Sequence, residues 1–204
     1  MKLEDYRIIL MAVGLIGTLL IATPALGMVV RLSGGEAFSE LYLLGPEHMA
    51  ENFPFNIASG QNYSVYVGAG NHMGSSAYYL IYVKFGSSID LLPNATTGAP
   101  SPLQPLFEYR FVLEDGATFE SPLSFSVVNA SFSSNRSVVK TVDVNGVSFD
   151  VDKQVAWDTE QEGFYYRLLV ELWSYNSQSN NIEYNSRFVY LQLNLTSNTL
   201  SPEA

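Results

Sequence analysis

Two hydrophobic patterns divide the chain. From Ile8 to Val30 the residues are uncharged and almost wholly apolar, with no amphipathic stripe, whereas beyond Leu32 apolar positions recur with the period of two expected of strands. A helix over residues 8–30 would be roughly 35 Å long at about 1.5 Å per residue, enough to cross the hydrocarbon core of a bilayer. The run therefore predicts a single transmembrane helix over 8–30, in contact with lipid, after a short cytoplasmic N-terminus over 1–7. Two rivals stand beside it: a cleaved signal peptide, for which Ala22-Thr23-Pro24-Ala25 makes only a rough cleavage site, and a buried helix of a soluble fold.

The second pattern predicts eight or nine strands. Tyr63, Val65 and Val67 share a face; residues 77–85 are nearly continuously apolar, as in an interior strand; Phe107, Tyr109, Phe111 and Leu113 alternate with polar or smaller neighbours. Leu123, Phe125 and Val127 follow in step, then residues 138–144 and 147–151 flank Asn145-Gly146, a dipeptide suited to the positive φ angles of a two-residue hairpin. Residues 164–174 and 187–195 complete the set. Gly86–Gln104, rich in proline, reads as a long surface loop, and 197–204 as a polar tail. The expected fold is mainly β: an immunoglobulin-like antiparallel β-sandwich over 36–196, preceded by the single helix.

Composition narrows the function. Ten basic against twenty acidic residues give a net charge of −10, which leaves no basic footprint for nucleic acid. The absence of cysteine removes disulfides, thiolate metal sites and cysteine nucleophiles, and two histidines cannot build a histidine-rich centre. Lys2 and Arg7 before the apolar run weakly favour a cytoplasmic N-terminus. The five Asn-x-Ser/Thr sequons, at Asn62, Asn94, Asn129, Asn135 and Asn194, point the domain outward. Asn94, Asn129 and Asn135 are the better candidates for glycosylation because they fall in loop-like stretches.

Candidate chemistry is sparse. His48 and His72 lack a Gly-x-Ser-x-Gly partner, and the acidic pairs Asp150/Asp152 and Glu160/Glu162 suit solvated loops in a chain this acidic. Asp143, Asn145, Asp150 and Asp152 offer oxygens for calcium but lack the spacing of a calcium-binding loop. Neither a catalytic site nor a cofactor is expected. The abundant Tyr and Phe mostly alternate within strands and read as core. Trp157, beside Asp158, is the aromatic expected at the surface, and Trp173 is expected in the core.

The order Phe38-Ser39-Glu40-Leu41-Tyr42-Leu43-Leu44-Gly45-Pro46-Glu47, then Ala50-Glu51-Asn52-Phe53-Pro54, then Gly60 to Gly68 and Asn71-His72 resembles the extracytoplasmic domain of the archaeal family catalogued as domain of unknown function sixteen-sixteen. Leu113-Glu114-Asp115-Gly116 with Pro122 to Phe125 is similar to that family's hairpin, and residues 168–195 to its closing strand pair. The chain departs from the pattern in three places. It has one apolar span rather than several, Met73 stands where a glutamate usually follows Asn-His, and a hairpin is added around 131–153. The resemblance implies an archaeal envelope protein with a sandwich fold and no assigned activity. Read physically, Gly45, Pro46, Glu47, Asn71 and His72 form a turn-and-edge framework; a ligand-binding role for Glu47, Asn71 and His72 is the alternative.

The function expected on these grounds is a membrane-anchored extracellular structural or interaction module of the cell envelope, with protein partners there. A pilin-like filament subunit is one alternative, though Arg7-Ile8 does not fit its leader. An extracellular carbohydrate-binding or carbohydrate-acting protein is the other, and it demands a concave cluster of exposed aromatics with carboxylates.

Overall fold

A computed structural model of the protein describes residues 6, 7, 10–18 and 36–197. The chain divides into two compact units, Met1–Ala37 and Phe38–Ala204. In the first, residues 10–18 are helical, with the Thr18 hydroxyl donating to the Gly14 carbonyl at 2.5 Å. Leu10, Met11, Val13, Leu15 and Ile16 all lie exposed. No helix among the described residues is long and apolar enough to cross a membrane. Of the expected span, residues 8, 9 and 19–30 lie outside the described residues, as does the tail beyond Ser197.

The second unit is built from ten strands: β1 (Phe38–Leu44), β2 (Asn56–Ala58), β3 (Asn62–His72), β4 (Ala77–Ser87), β5 (Phe107–Leu113), β6 (Thr118–Ser133), β7 (Arg136–Val144), β8 (Val147–Ala156), β9 (Tyr165–Asn176) and β10 (Asn181–Thr196). They form two five-stranded sheets ordered β1-β3-β6-β7-β8 and β2-β10-β9-β4-β5. Among the described residues, pairing is antiparallel with one exception. The short β2 runs parallel to β10, so the expectation of a wholly antiparallel sandwich is corrected. A three-residue strand between Pro54 and Gly60 leaves too few alternating positions to be read from its sequence.

Alternation decides which side chains meet between the sheets. Val65 and Val67 of β3 and Leu123, Phe125 and Val127 of β6 face Ile81 and Val83 of β4 and Leu168, Val170 and Leu172 of β9. Polar ties cross the same gap: the Ser39 and Tyr79 hydroxyls lie 2.8 Å apart, and those of Ser137 and Tyr166 2.7 Å apart. Asn145-Gly146 makes the expected hairpin, with φ of 50° and 79° and Val144 opposite Val147.

Gly68 and Gly70 lie within the continuous β3. A Cβ on Gly68 would come within 2.1 Å of the Tyr42 ring, so the glycine makes room for a cross-strand aromatic rather than for a turn. Trp173 is not in the core. Its neighbour Leu172 points inward, which places the indole on the outer face of the second sheet, edge-on to Tyr82 at 5.4 Å. The 88–106 connection is a surface loop only in part, since it folds back over that outer face and buries Ser101.

Candidate functional site

The family-motif residues do not converge. Gly45 opens a tight turn after β1 in which its amide donates to the Met49 carbonyl at 2.7 Å and its carbonyl accepts from the His48 amide at 3.1 Å. A Cβ on Gly45 would sit 1.9 Å from the Glu51 carbonyl, so only glycine closes this turn. Pro46 and Glu47 are exposed in it. His48, at φ 57°, stacks on Tyr66 at 3.7 Å and meets the Glu120 carboxylate at 2.5 Å.

Asn71 and His72 lie at the opposite end of β1: Phe38 pairs with His72, whereas Leu44, beside Gly45, pairs with Tyr66. Asn71 is fully buried. Its amide nitrogen donates to the Ser75 and Leu113 carbonyls at 2.8 and 2.9 Å, and its oxygen accepts from Tyr79 and the Met73 amide at 3.0 and 3.2 Å. All its hydrogen-bonding capacity is consumed in tying β3 to the turn ahead of β4 and to the end of β5. His72 stacks on Phe38 at 4.6 Å with Nε2 3.4 Å from Glu40. No side-chain hydroxyl is hydrogen-bonded to either imidazole among the described residues. The motif thus divides into two clamps, one closing the turn at Gly45 and one holding the end of β3 at Asn71.

The calcium candidates are likewise apart. Asn145 turns inward, accepting from the Ser124 amide at 2.9 Å and donating to the Tyr109 hydroxyl at 2.8 Å. Asp143 accepts from Ser148, and Asp150 from Thr141 at 3.3 Å. Asp152 is held at φ 42° where β7 and β8 slip register. Among the described residues, no group of three or more His, Asp or Glu side chains could hold a metal ion.

The sequons separate by geometry. Asn62, Asn94, Asn129 and Asn135 are exposed. Asn94 uses only its oxygen, which accepts from the Thr96 and Thr97 amides at 2.9 and 3.1 Å and leaves the amide nitrogen available. Asn194 is different: its nitrogen donates to Asn56 at 3.0 Å and its oxygen accepts from the Phe164 amide at 3.2 Å, so the acceptor atom is already engaged.

Sequence reasoning missed a buried ion pair. Lys84 of β4 and Glu171 of β9 are 3% and 0% exposed, with Nζ 2.8 Å from Oε2. The strap formed by 88–106 completes it: the Ser101 amide donates to Glu171 at 2.9 Å, and Lys84 donates to the Ser101 carbonyl at 2.9 Å. Trp173 Nε1 supplies a further donor to Glu171 at 3.1 Å. One basic and one acidic residue stranded in otherwise apolar runs was the available signal.

Two concavities lie at opposite ends of the sandwich. At the end where β1 begins, a groove of about 630 Å³ is lined largely by hydroxyls and amides, among them Ser39, Ser76, Asn176 and Asn185, with Tyr78 and Tyr184. At the other end, a smaller and more apolar depression of about 290 Å³ is bounded by Phe132, Trp157, Glu162 and Phe164. Trp157 is indeed at the surface, 41% exposed.

Among solved structures, the CARDB domain of the PF1109 protein from Pyrococcus furiosus, in complex with di-metal ions, aligns with 78% of this chain and 89% of its own at 7% identity, with a TM-score of 0.38. β-Glucosidase from Listeria innocua aligns over 78% of this chain but only 16% of its own, at 10% identity and a TM-score of 0.37. No curated protein matches. The family model described as Domain of unknown function (DUF1616) matches residues 32–136, from ahead of β1 to the first residue of β7. That stretch contains both clamps, at Gly45 and at Asn71, and covers just over half of the sequence, so the chain belongs to the DUF1616 family.

Proposed function

We propose that the protein is a membrane-anchored binding module of the cell envelope, an immunoglobulin-like sandwich held outside the membrane by residues 8–30, and not an enzyme. Strand order supports the immunoglobulin-like reading. β1, β3 and β6 occupy the places of strands A, B and E, with β7 in the fourth position of that sheet, while β4, β9 and β10 occupy those of C, F and G. The observation that carries the anchor is the helix over 10–18, which presents apolar side chains on every side with none of them buried, an arrangement suited to lipid. The exposed sequons favour the outer side, and an archaeal envelope is the setting implied by the motif resemblance.

Absence of catalysis is read from the use already made of each polar cluster. Asn71, Glu171 and Asn145 have their hydrogen bonds committed to the fold, and both imidazoles face a carboxylate and an aromatic ring. Protease treatment of intact cells carrying the tagged full chain tests the topology. The expected result is loss of the β-domain with the N-terminal segment retained in the membrane fraction. Full protection of the domain, or its recovery from untreated cells as a soluble fragment lacking the first thirty residues, overturns the proposal.

A further inference from the structure

The smaller depression has the construction of a sugar site. It lies at the end of the sandwich remote from Phe38, where the β6–β7 turn, the 157–164 connection and the end of β10 meet. Trp157 stands edge-on to Phe164, ring centres 5.0 Å apart at 79°, and Phe132 adds a third ring 5.8 Å from Phe164. Two aromatic surfaces at nearly a right angle form a corner rather than a flat patch.

That corner is held rigidly. The Trp157 amide donates to the Asn135 carbonyl at 2.9 Å, and Asp158 closes its own turn by accepting from the Glu160 and Gln161 amides at 2.9 and 3.0 Å. Asp158 and Gly163 pair backbone to backbone, and the Tyr165 hydroxyl donates to the Gln161 carbonyl at 2.5 Å. Glu162 is thereby fixed at φ 54°, a left-handed conformation that a glutamate adopts at some cost. Its exposed carboxylate has no hydrogen-bond or ion-pair partner among the described residues, and neither has the hydroxyl of Ser134 on the facing turn.

We propose that this corner binds a single pyranose unit of a neutral glycan. The rings match the apolar C–H face of a sugar, and the free carboxylate is an acceptor for a pair of adjacent hydroxyls. Among the described residues no basic side chain lines the depression, which disfavours a phosphate or an acidic ligand. Its volume of about 290 Å³ sits at the lower limit for ligand pockets, room for one ring rather than a folded partner. The inference rests on the reading of the chain as a binding module, but not on its membrane topology.

The test uses the full chain, made in a host without N-glycosylation and held in a detergent without a sugar headgroup. The chain has two tryptophans, so Trp173→Phe leaves Trp157 as the sole indole reporter. Glucose, galactose, mannose and N-acetylglucosamine are titrated separately, with glycerol as the polyol control. The expected result is a saturable change in Trp157 fluorescence, in the millimolar range, for at least one sugar and not for glycerol. In ligand-observed NMR of otherwise native protein, Glu162→Gln should weaken that sugar by about tenfold, and Trp157→Leu should abolish the signal. Glu162 is exposed and free of fold contacts, so its variant remains informative even where the tryptophan variant loses structure. No saturable response to any of the four, or unchanged binding by Glu162→Gln, overturns the proposal. Both results are independent of cell-surface protease accessibility.

Discussion

The two sheets solve different problems with the same alternation. In the first, β6 and β8 bury one face and leave the other to solvent, so polar residues fall outward without needing partners. In the second, β4 and β9 are buried on both faces over most of their length, because the 88–106 strap covers the side turned away from the core. A charge on an outward position is therefore nearly free in the first sheet and costly in the second unless it is paired. Lys84 and Glu171 show the consequence: each is desolvated, and each is answered by the other and by the Ser101 backbone, with Trp173 a further donor to Glu171.

The largest expected effect comes from breaking that pair on one side. Lys84→Met should destabilise the domain by about 3–5 kcal/mol, because Glu171 is left buried and uncompensated. Lys84→Met with Glu171→Leu should recover a large part of the loss. Denaturant unfolding followed through Trp173, which donates to Glu171, reads both. If the double variant is no better than the single one, the pair is not the source of the cost. By contrast, Lys140→Met, on an exposed position of β7, should change stability by less than about 0.5 kcal/mol.

Next in size is Asn71→Ala. The substitution takes this donor from the Ser75 and Leu113 carbonyls and removes the acceptor of the Tyr79 hydroxyl at one end of the sandwich, at a cost of about 1–3 kcal/mol. Because Asn71 also organises the turn leading into β4, hydrogen exchange should rise first in residues 73–77 and at Leu113. Uniform acceleration across both sheets would instead make Asn71 a general core residue.

A smaller effect separates the strap from the rest of the second sheet. Burial alone would push the Asp90 carboxyl up, but hydrogen bonds from the Ser87 amide and hydroxyl, and then Lys153, more than offset it, leaving it below its ordinary value of 3.8. A carboxyl whose folded value is lowered contributes stability that is complete above its unfolded value and disappears as pH falls through the folded one. The strap's hold on β8, where Lys153 Nζ lies 3.1 Å from Asp90, should therefore weaken below about pH 4. Asp90→Asn should flatten this acid limb of the unfolding midpoint; an unchanged limb would assign it to other carboxylates.

How much of this was readable in advance depends on what each residue answers to. Alternation in residues 107–113 and 118–128, and Asn145-Gly146 between two strands, are local signals that mark β5, β6, β7 and β8, while the apolar runs at 77–85 and 164–174 mark β4 and β9. β2 was illegible because its pairing with β10 is made across 138 residues of chain. Trp157 was readable as exposed from its place beside Asp158, but its corner with Phe132 and Phe164 depends on three separate connections meeting at one end. Lys84 and Glu171 were visible only as anomalies. What they touch is set by a strap whose proline-rich sequence says loop without saying where the loop lies.

The smallest effect probes the one imperfect place on the doubly covered sheet. Among the described residues, Tyr184 carries a buried hydroxyl with no hydrogen-bond partner. Burial first, and the Glu171 charge second, push its pKa up to about 12. Removing an unsatisfied hydroxyl while keeping the ring should be neutral or stabilising, so Tyr184→Phe is expected to gain up to about 1 kcal/mol at neutral pH. The alkaline limb gives an independent reading. A phenol whose folded pKa is raised contributes stability that is whole below about pH 10 and is lost as pH climbs toward the folded value. Tyr184→Phe should therefore resist unfolding between pH 10 and about 12 better than the parent, while Tyr109 and Tyr166, also raised by burial, keep part of the limb in both. A destabilised variant at neutral pH would mean that the hydroxyl is satisfied after all, by a water or by a ligand in the polar groove that Tyr184 lines. The second sheet would then be as fully compensated at its edge as it is at Lys84.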